Sequence, residues 1–241
     1  QLALENRLTA PAFAFFFPLL SLVLLSNKYT DDLLEQCLRL IIEHSQLRFE
    51  PEKVDENQDF NFDTILLKNP EYLPRKDILK TLFEFMSHPV PHLELLTQKA
   101  IQEVALCANG LVGCTRASNQ EIDILLKSLR SENENIREVA LDCLLILVKI
   151  LKTIDIPSVV DDLTKRIWIA RFDQNDNCNL KAHKLWDLCG LSTNSDISLS
   201  LIDDLLDAGP ALRASIAGAI ESILKQPDQI ETTVIRLIEL Y

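Results

Sequence analysis

Along most of the chain, apolar residues recur three and four positions apart, the spacing that gathers side chains on one face of an α-helix. The stretch from Ser131 to Lys152 shows this most fully. Ile136, Val139, Ala140, Cys143, Leu144, Leu147, Val148 and Leu151 form a stripe there, and Leu141, Leu145, Ile146 and Ile150 widen it. So wide a stripe predicts an inner helix with neighbours on two sides. Ser131 and Glu134 precede it with the spacing of a capping box, in which hydroxyl and carboxylate each satisfy a free backbone N–H.

The same pattern predicts helices over Ala10 to Leu25, Asp31 to His44, Pro74 to Met86, Pro91 to Ala108 and Ser118 to Arg130. Further helices are expected from Asp155 or Pro157 to Phe172, Asn175 to Leu188, Ser195 or Asp196 to Asp207 and Pro210 to Lys225, with another starting at Pro227. Their boundaries carry chemical signals. Ser118 and Glu121 form a second capping box, Asn109-Gly110 a left-handed cap, and Gly209-Pro210 a stop followed by a restart. Leu47 to Phe62 is acidic and lacks a stripe, so it reads as a surface loop, followed by a short helical turn at Asp63 to Leu67.

The unit that repeats is helix, short turn, helix, over about 30 to 45 residues, which predicts an all-α solenoid of about five hairpins. The second helices share a layout. Ile136-Arg137, Leu180-Lys181 and Leu212-Arg213 each place an aliphatic residue before a basic one near the helix start, with small or aliphatic residues following on the contact face. This layout resembles the HEAT repeat. The resemblance implies a right-handed superhelix in which Arg137, Lys181 and Arg213 set the stacking register by pairing with acidic groups of neighbouring repeats. Ala140, Ala217 and Ala219 are expected to let helices approach closely.

Composition narrows the class. With 47% hydrophobic residues and five glycines in 241 residues, the chain can bury a large core and is not disordered. The uncharged run Ala10 to Leu25 is sixteen residues long, short of the roughly 20 a membrane span needs, and reads as a buried core helix. Six cysteines in apolar context, without a C-x-x-C pair, read as reduced core thiols of a cytoplasmic protein. The chain starts at Gln1 inside a helical pattern, so residues 1–241 are expected to be one HEAT-repeat segment of a longer protein.

The net charge of −12 opposes wholesale nucleic-acid binding, yet it is unevenly spread. Asp31 to Asp63 holds ten acidic and three basic residues, whereas Lys149 to Lys184 holds seven Lys or Arg against five Asp. Within that second region Lys165, Arg166, Arg171, Lys181 and Lys184 are the candidates for contact with RNA phosphates. They stand against the alternative of a solvated ridge with acidic partners in the fold. Trp168 and Trp186 read as packing residues between repeats and not as base-stacking platforms.

Catalytic chemistry finds no foothold. Asp173, Asn175 and Asn177 begin like a calcium loop, but Cys178 and Lys184 stand where glycine and a bidentate glutamate are required. His88 and His92 are separated by two prolines and do not share a helical face. Asp161-Asp162 and Asp203-Asp204 lie in the first two turns of their helices, where the helix dipole alone favours acids. No phosphate-binding, nucleophile-elbow or zinc-protease motif is present. The expectation is therefore no enzyme, no cofactor, no metal and no small-molecule substrate.

A more specific resemblance comes from an ordered series of words. These are Ala10-Pro11-Ala12-Phe13-Ala14-Phe15, Leu73-Pro74-Arg75, Glu121-Ile122-Asp123-Ile124-Leu125-Leu126, Arg166-Ile167-Trp168-Ile169-Ala170-Arg171-Phe172-Asp173, Lys184-Leu185-Trp186 and Leu201-Ile202-Asp203-Asp204. In this order the chain resembles the general control translational activator family, very large HEAT-repeat proteins. The resemblance implies a cytoplasmic scaffold that binds stalled or collided ribosomes and promotes activation of the initiation factor two alpha kinase under amino-acid starvation. Its implied partners are the ribosome and that kinase, with no membrane. The alternative is a protein-binding HEAT module of another scaffold, such as a transport receptor or a ligase or phosphatase scaffold.

Overall fold

The computed structural model describes residues 10–26, 28–47, 70–88, 90–193 and 197–225, together with 230, 234, 235 and 238. Its elements are α1 (Ala10–Leu25), α2 (Asp31–Ser45), α3 (Arg75–Met86), α4 (Glu94–Cys107), α5 (Asn119–Ser128), α6 (Glu134–Ile146), α7 (Val148–Leu151), α8 (Pro157–Ala170), α9 (Asp176–Cys189), α10 (Ile197–Asp207) and α11 (Pro210–Leu224). Short 3-10 turns cover Pro70–Tyr72 and Pro91–Leu93. Among the described residues the only β feature is an isolated bridge between Asn109 and Arg116, closing the turn after α4. The fold is an all-α solenoid of HEAT-like hairpins. The expected loop over 47–62 and the turn at 63–67 lie, apart from Leu47, outside the described residues, as does most of the helix expected from Pro227.

Contacts divide the chain into two units, Gln1–Ile124 and Leu125–Tyr241. In the first, α1 pairs with α2 and α3 with α4, while α1 also packs on α3 and α2 on α4. First helices thus stack on first helices and second on second, the arrangement a solenoid requires if each hairpin is to bury its stripe on the next. His44 of α2 stacks on Phe13 of α1, with ring centroids 4.3 Å apart, and Ser21 of α1 shares a 2.9 Å hydroxyl hydrogen bond with Thr81 of α3.

The expectation that α1 is a buried core helix holds for one side of it only. Phe13, Phe17 and Leu24 are buried, but Phe15, Phe16, Leu19, Leu22 and Leu25 are exposed. With α2 and α3 as its neighbours, a helix apolar all round can cover only part of its circumference. Pro18 does not end it either, since the helix runs from Ala10 through Leu25 with Pro18 inside. Among the described residues, no helix is long and apolar enough to cross a membrane.

In the second unit α8 and α9 form a hairpin, α10 and α11 form the next, and α6 packs along α9. A core of Trp168, Ile169, Ile197, Leu201, Ile202, Leu212, Ile216, Ala219, Ile220 and Ile223 joins α8 to α10 and α11. The stripe predicted from Ser131 to Lys152 is one helix interrupted at Leu147, giving α6 and the four-residue α7. Of the eight residues of its predicted stripe, Ile136, Val139, Ala140, Cys143, Leu144, Leu147 and Leu151 are buried and Val148 is half-buried.

Caps divide between expectation and correction. Ser118 and Glu121 make the predicted box, the Ser118 N–H donating to Glu121 at 2.7 Å and the Glu121 N–H to Ser118 Oγ at 3.3 Å. At the start of α6 the box does not form. Asn133 is the cap, its Oδ1 accepting from the Asn135 N–H at 2.9 Å, while Ser131 Oγ accepts from the Asn133 N–H. Gly190 caps α9 with φ 65°, as a left-handed helix end requires. The left-handed cap expected at Asn109-Gly110 does not form: α4 is capped at Ala108, and Gly110 (φ 71°) lies in the turn closed by the Asn109–Arg116 bridge.

Candidate interaction surface and the ion-pair rungs behind it

Near the start of α6 the guanidinium of Arg137 reaches Asp173, which lies in the turn joining α8 to α9. Nε donates to Oδ2 at 2.7 Å and Nη2 to Oδ1 at 2.8 Å, a bidentate pair whose side chains are 5% and 2% exposed. Nη1 donates to the carbonyls of Ser131 and Glu132. Burial lowers the guanidinium's affinity for its proton, but the hydrogen bond and charge of Asp173 outweigh that and raise its pKa above the usual value. Buried charge is tolerated here because every face of the fork is matched.

Two more rungs repeat the motif in the second unit. Lys181 of α9 lies 2.9 Å from Glu138 and 2.7 Å from Asp142 of α6. Arg166 of α8 reaches Asp204 of α10 at 2.7 Å and Asp162 of its own helix at 3.2 Å, while Lys165 reaches the same Asp204 at 3.3 Å. In the first unit Arg75 and Glu121 pair at 2.7 Å, both nearly buried. Sequence reasoning missed Arg75–Glu121 and read Asp162 and Asp204 as helix-dipole residues. Asp162 and Arg166 are four apart on one helix, but the partners on different helices lie 36 to 46 positions apart along the chain, beyond any local signal.

Arg213, at the layout position of Arg137, is exposed and donates to the Ala208 carbonyl at 2.9 Å. That contact parallels Arg137 and Glu132, five residues back in each case. Of the three alanines expected at close approaches, Ala140 and Ala219 are fully buried, whereas Ala217 is exposed. Its neighbour Gly218 makes the close approach instead, since a side chain there would meet Phe172 at 3.4 Å.

The five residues read as RNA candidates separate clearly. Lys165, Arg166 and Lys181 are held by carboxylates within the fold. Arg171 lies 4.7 Å from the ring centre of Trp168 and 4.8 Å from that of Trp186, donating through Nε to His183 Nδ1 at 3.2 Å. Burial pulls its pKa down, with the charge of Asp187 opposing. Lys184 is exposed, and among the described residues no ion pair holds it. Trp168 is a packing residue as expected, its Nε1 donating to the Ala219 carbonyl of the next hairpin at 3.3 Å, and its ring lies 5.1 Å from that of Trp186.

The other chemical candidates are used structurally. Asp173 holds Arg137 and accepts the Asn175 N–H, and Asn175 caps α9 by accepting from Asn177 and Cys178. His92 pairs with Asp31 at 3.2 Å. Cys37, Cys107, Cys143 and Cys178 are buried free thiols, and burial, helped by Asp173, pushes Cys178 up to about 12. Among the described residues no group of three or more His, Cys, Asp or Glu could hold a metal ion.

Against known proteins, residues 155–241 match the family model described as HEAT repeats of the stalled ribosome sensor GCN1. Over 97% of its length the chain is 31% identical to the mouse protein named stalled ribosome sensor GCN1 and 29% identical to the human one. It spans 9% of the length of these relatives. No solved structure matches it significantly. Paired helices locked by buried Arg–Asp rungs thus go with a sequence that resembles the GCN1 HEAT-repeat proteins almost from end to end and matches their family model over residues 155–241.

Proposed function

We propose that this chain is a scaffold segment of a cytoplasmic, ribosome-associated HEAT-repeat activator. In this reading the full protein binds stalled or collided ribosomes and promotes activation of the initiation factor two alpha kinase under amino-acid starvation. The observation that supports it best is similarity over 97% of the chain to proteins named as stalled ribosome sensors. The structure adds a physical role. A stack of hairpins fastened by buried ion pairs holds a surface in fixed geometry, which suits a scaffold and needs no reaction chemistry.

Contact with the ribosome falls, in this reading, to cations not already spent inside the fold. Lys165, Arg166 and Lys181 act on stacking, whereas Lys184 and the outer edge of Arg171 face outward. The test is co-sedimentation of the full-length protein with ribosomes at low salt, comparing the parent with Arg171→Glu/Lys184→Glu. Weaker sedimentation of the variant is expected. Equal sedimentation removes this face from the ribosome contact, and failure of the parent to sediment removes the reading altogether.

A further inference from the structure

Helix α9 leaves one face uncovered. Leu180, Lys184 and Leu188 are four apart, so their side chains stand one above another over about 12 Å of helix. All three are exposed, the leucines at 71% and 41%. At the matching layout position Ile136 is 3% and Leu212 7% exposed, so Leu180 is the one that faces out. No packing demand within the described residues accounts for an aliphatic residue there.

Arg171 and His183 border this stripe. The other cations described above as buried or half-buried, Arg75, Arg137, Lys165, Arg166 and Lys181, each meet a carboxylate. Arg171 is instead held by two indole rings and an imidazole nitrogen, which leaves its two Nη groups without an acceptor among the described residues. Burial lowers its pKa and the charge of Asp187 opposes this only in part, as expected of a desolvated cation with no carboxylate in hydrogen-bonding contact. A guanidinium already fixed by stacking loses little further freedom when it meets a carboxylate.

The surroundings favour a protein ligand over a nucleic acid. Phosphate backbones are gripped by several cations tracking the strand. Here only Lys184 and the edge of Arg171 are available, Asp187 already offsets part of the charge of Arg171, and two exposed leucines flank Lys184. Arginine and tryptophan beside exposed aliphatic surface are the residues that dominate protein interfaces.

We propose that the α9 face formed by Leu180, Lys184 and Leu188, with Arg171 at its edge, docks an acidic amphipathic helix of a partner protein. Apolar side chains of that helix cover the two leucines, and its carboxylates meet Lys184 and the Nη groups of Arg171. The partner needs about three turns, with apolar residues seven or eight apart and glutamates between them. This face is the one left above for ribosome contact, and an acidic protein helix, not ribosomal RNA, is the ligand it fits; the scaffold reading stands whichever of the two binds.

The test titrates the 241-residue chain against fluorescein-labelled stapled helices of that design, read by fluorescence anisotropy. One set carries glutamate between the apolar positions and the other carries lysine. A single-stranded RNA oligonucleotide forms a third arm. The acidic helices are expected to bind, and Lys184→Glu, Arg171→Gln or Leu180→Ser each to weaken them by about tenfold, the loss typical of one anchoring side chain. Lys184→Glu should also make the lysine helices the better ligands. Lys184 and Leu180 are exposed, so those variants keep the parent's circular dichroism even if Arg171→Gln disturbs folding. The proposal is overturned if the acidic helices fail to bind, if both sets bind alike and ignore Lys184→Glu, or if RNA displaces the acidic helices and binds more tightly.

Discussion

Replacing Arg137 by methionine removes the cation from a buried pair while keeping much of its apolar stem. Asp173, 2% exposed, is left holding a charge that can reach neither water nor a counter-ion, and the Ser131 and Glu132 carbonyls lose their donor. Breaking a buried ion pair from one side costs about 3–5 kcal/mol. Asp173→Asn removes the charge but can still accept the Asn175 N–H, the 2.9 Å bond that shapes the turn. The double variant should therefore recover at least about 2 kcal/mol relative to the sum of the singles. Both tryptophans of the chain, Trp168 and Trp186, lie in the same unit as this pair, so their fluorescence during urea unfolding reports the unit directly. A loss under about 1 kcal/mol for Arg137→Met, with additive behaviour in the double variant, would show a solvated pair and refute the register role.

Leu144→Ala should cost about 2–5 kcal/mol by leaving a cavity at a fully buried site, whereas Leu180→Ala on the open face should stay within about 0.5 kcal/mol, both measured by urea unfolding. Gly209→Ala should destabilise although its backbone is ordinary, because a Cβ there would displace the Glu132 carboxylate, which accepts the Ala211 N–H at 3.1 Å at the start of α11. That cost, about 0.5–2 kcal/mol for a lost cap, should vanish in a Glu132→Ala background. Stability should fall as pH rises from 9.0 towards about 12. Folded Cys178 keeps its proton up to about 12 while the unfolded thiol has released it, giving a slope of about 1.4 kcal/mol per pH unit that Cys178→Ala removes. Lys181 adds to the fall above 10.5, because its hydrogen bonds to Asp142 and Glu138 outweigh burial and keep it charged in the fold. Unfolding midpoints across that range test the sign.

Periodicity alone located the helices to within a few residues, and the Ser118–Glu121 box was readable because both its members are local. At Ser131 the serine–glutamate spacing pointed to the wrong cap, because the side chain of Asn133, two residues on, is an equally good acceptor for a first-turn N–H. Asn133 prevails while Glu134, free of the box, accepts from Asn175 Nδ2 of the next hairpin at 3.1 Å. The basic cluster was visible as a cluster, but its uses were not. Three of its five members are matched by carboxylates on their own or neighbouring helices, and Arg171 by two indole rings that only the folding of α8 against α9 brings together beside it.

What the sequence by itself determined was that these are amphipathic helices in pairs, because a stripe repeating every three or four residues needs only the geometry of one helix to be recognised. Which charge meets which, which half of α1 is covered, and which face of α9 stays open were decided by tertiary structure. Those outcomes depend on neighbours dozens of residues away, whose distances fix whether a charged or apolar group finds a partner or is left to water.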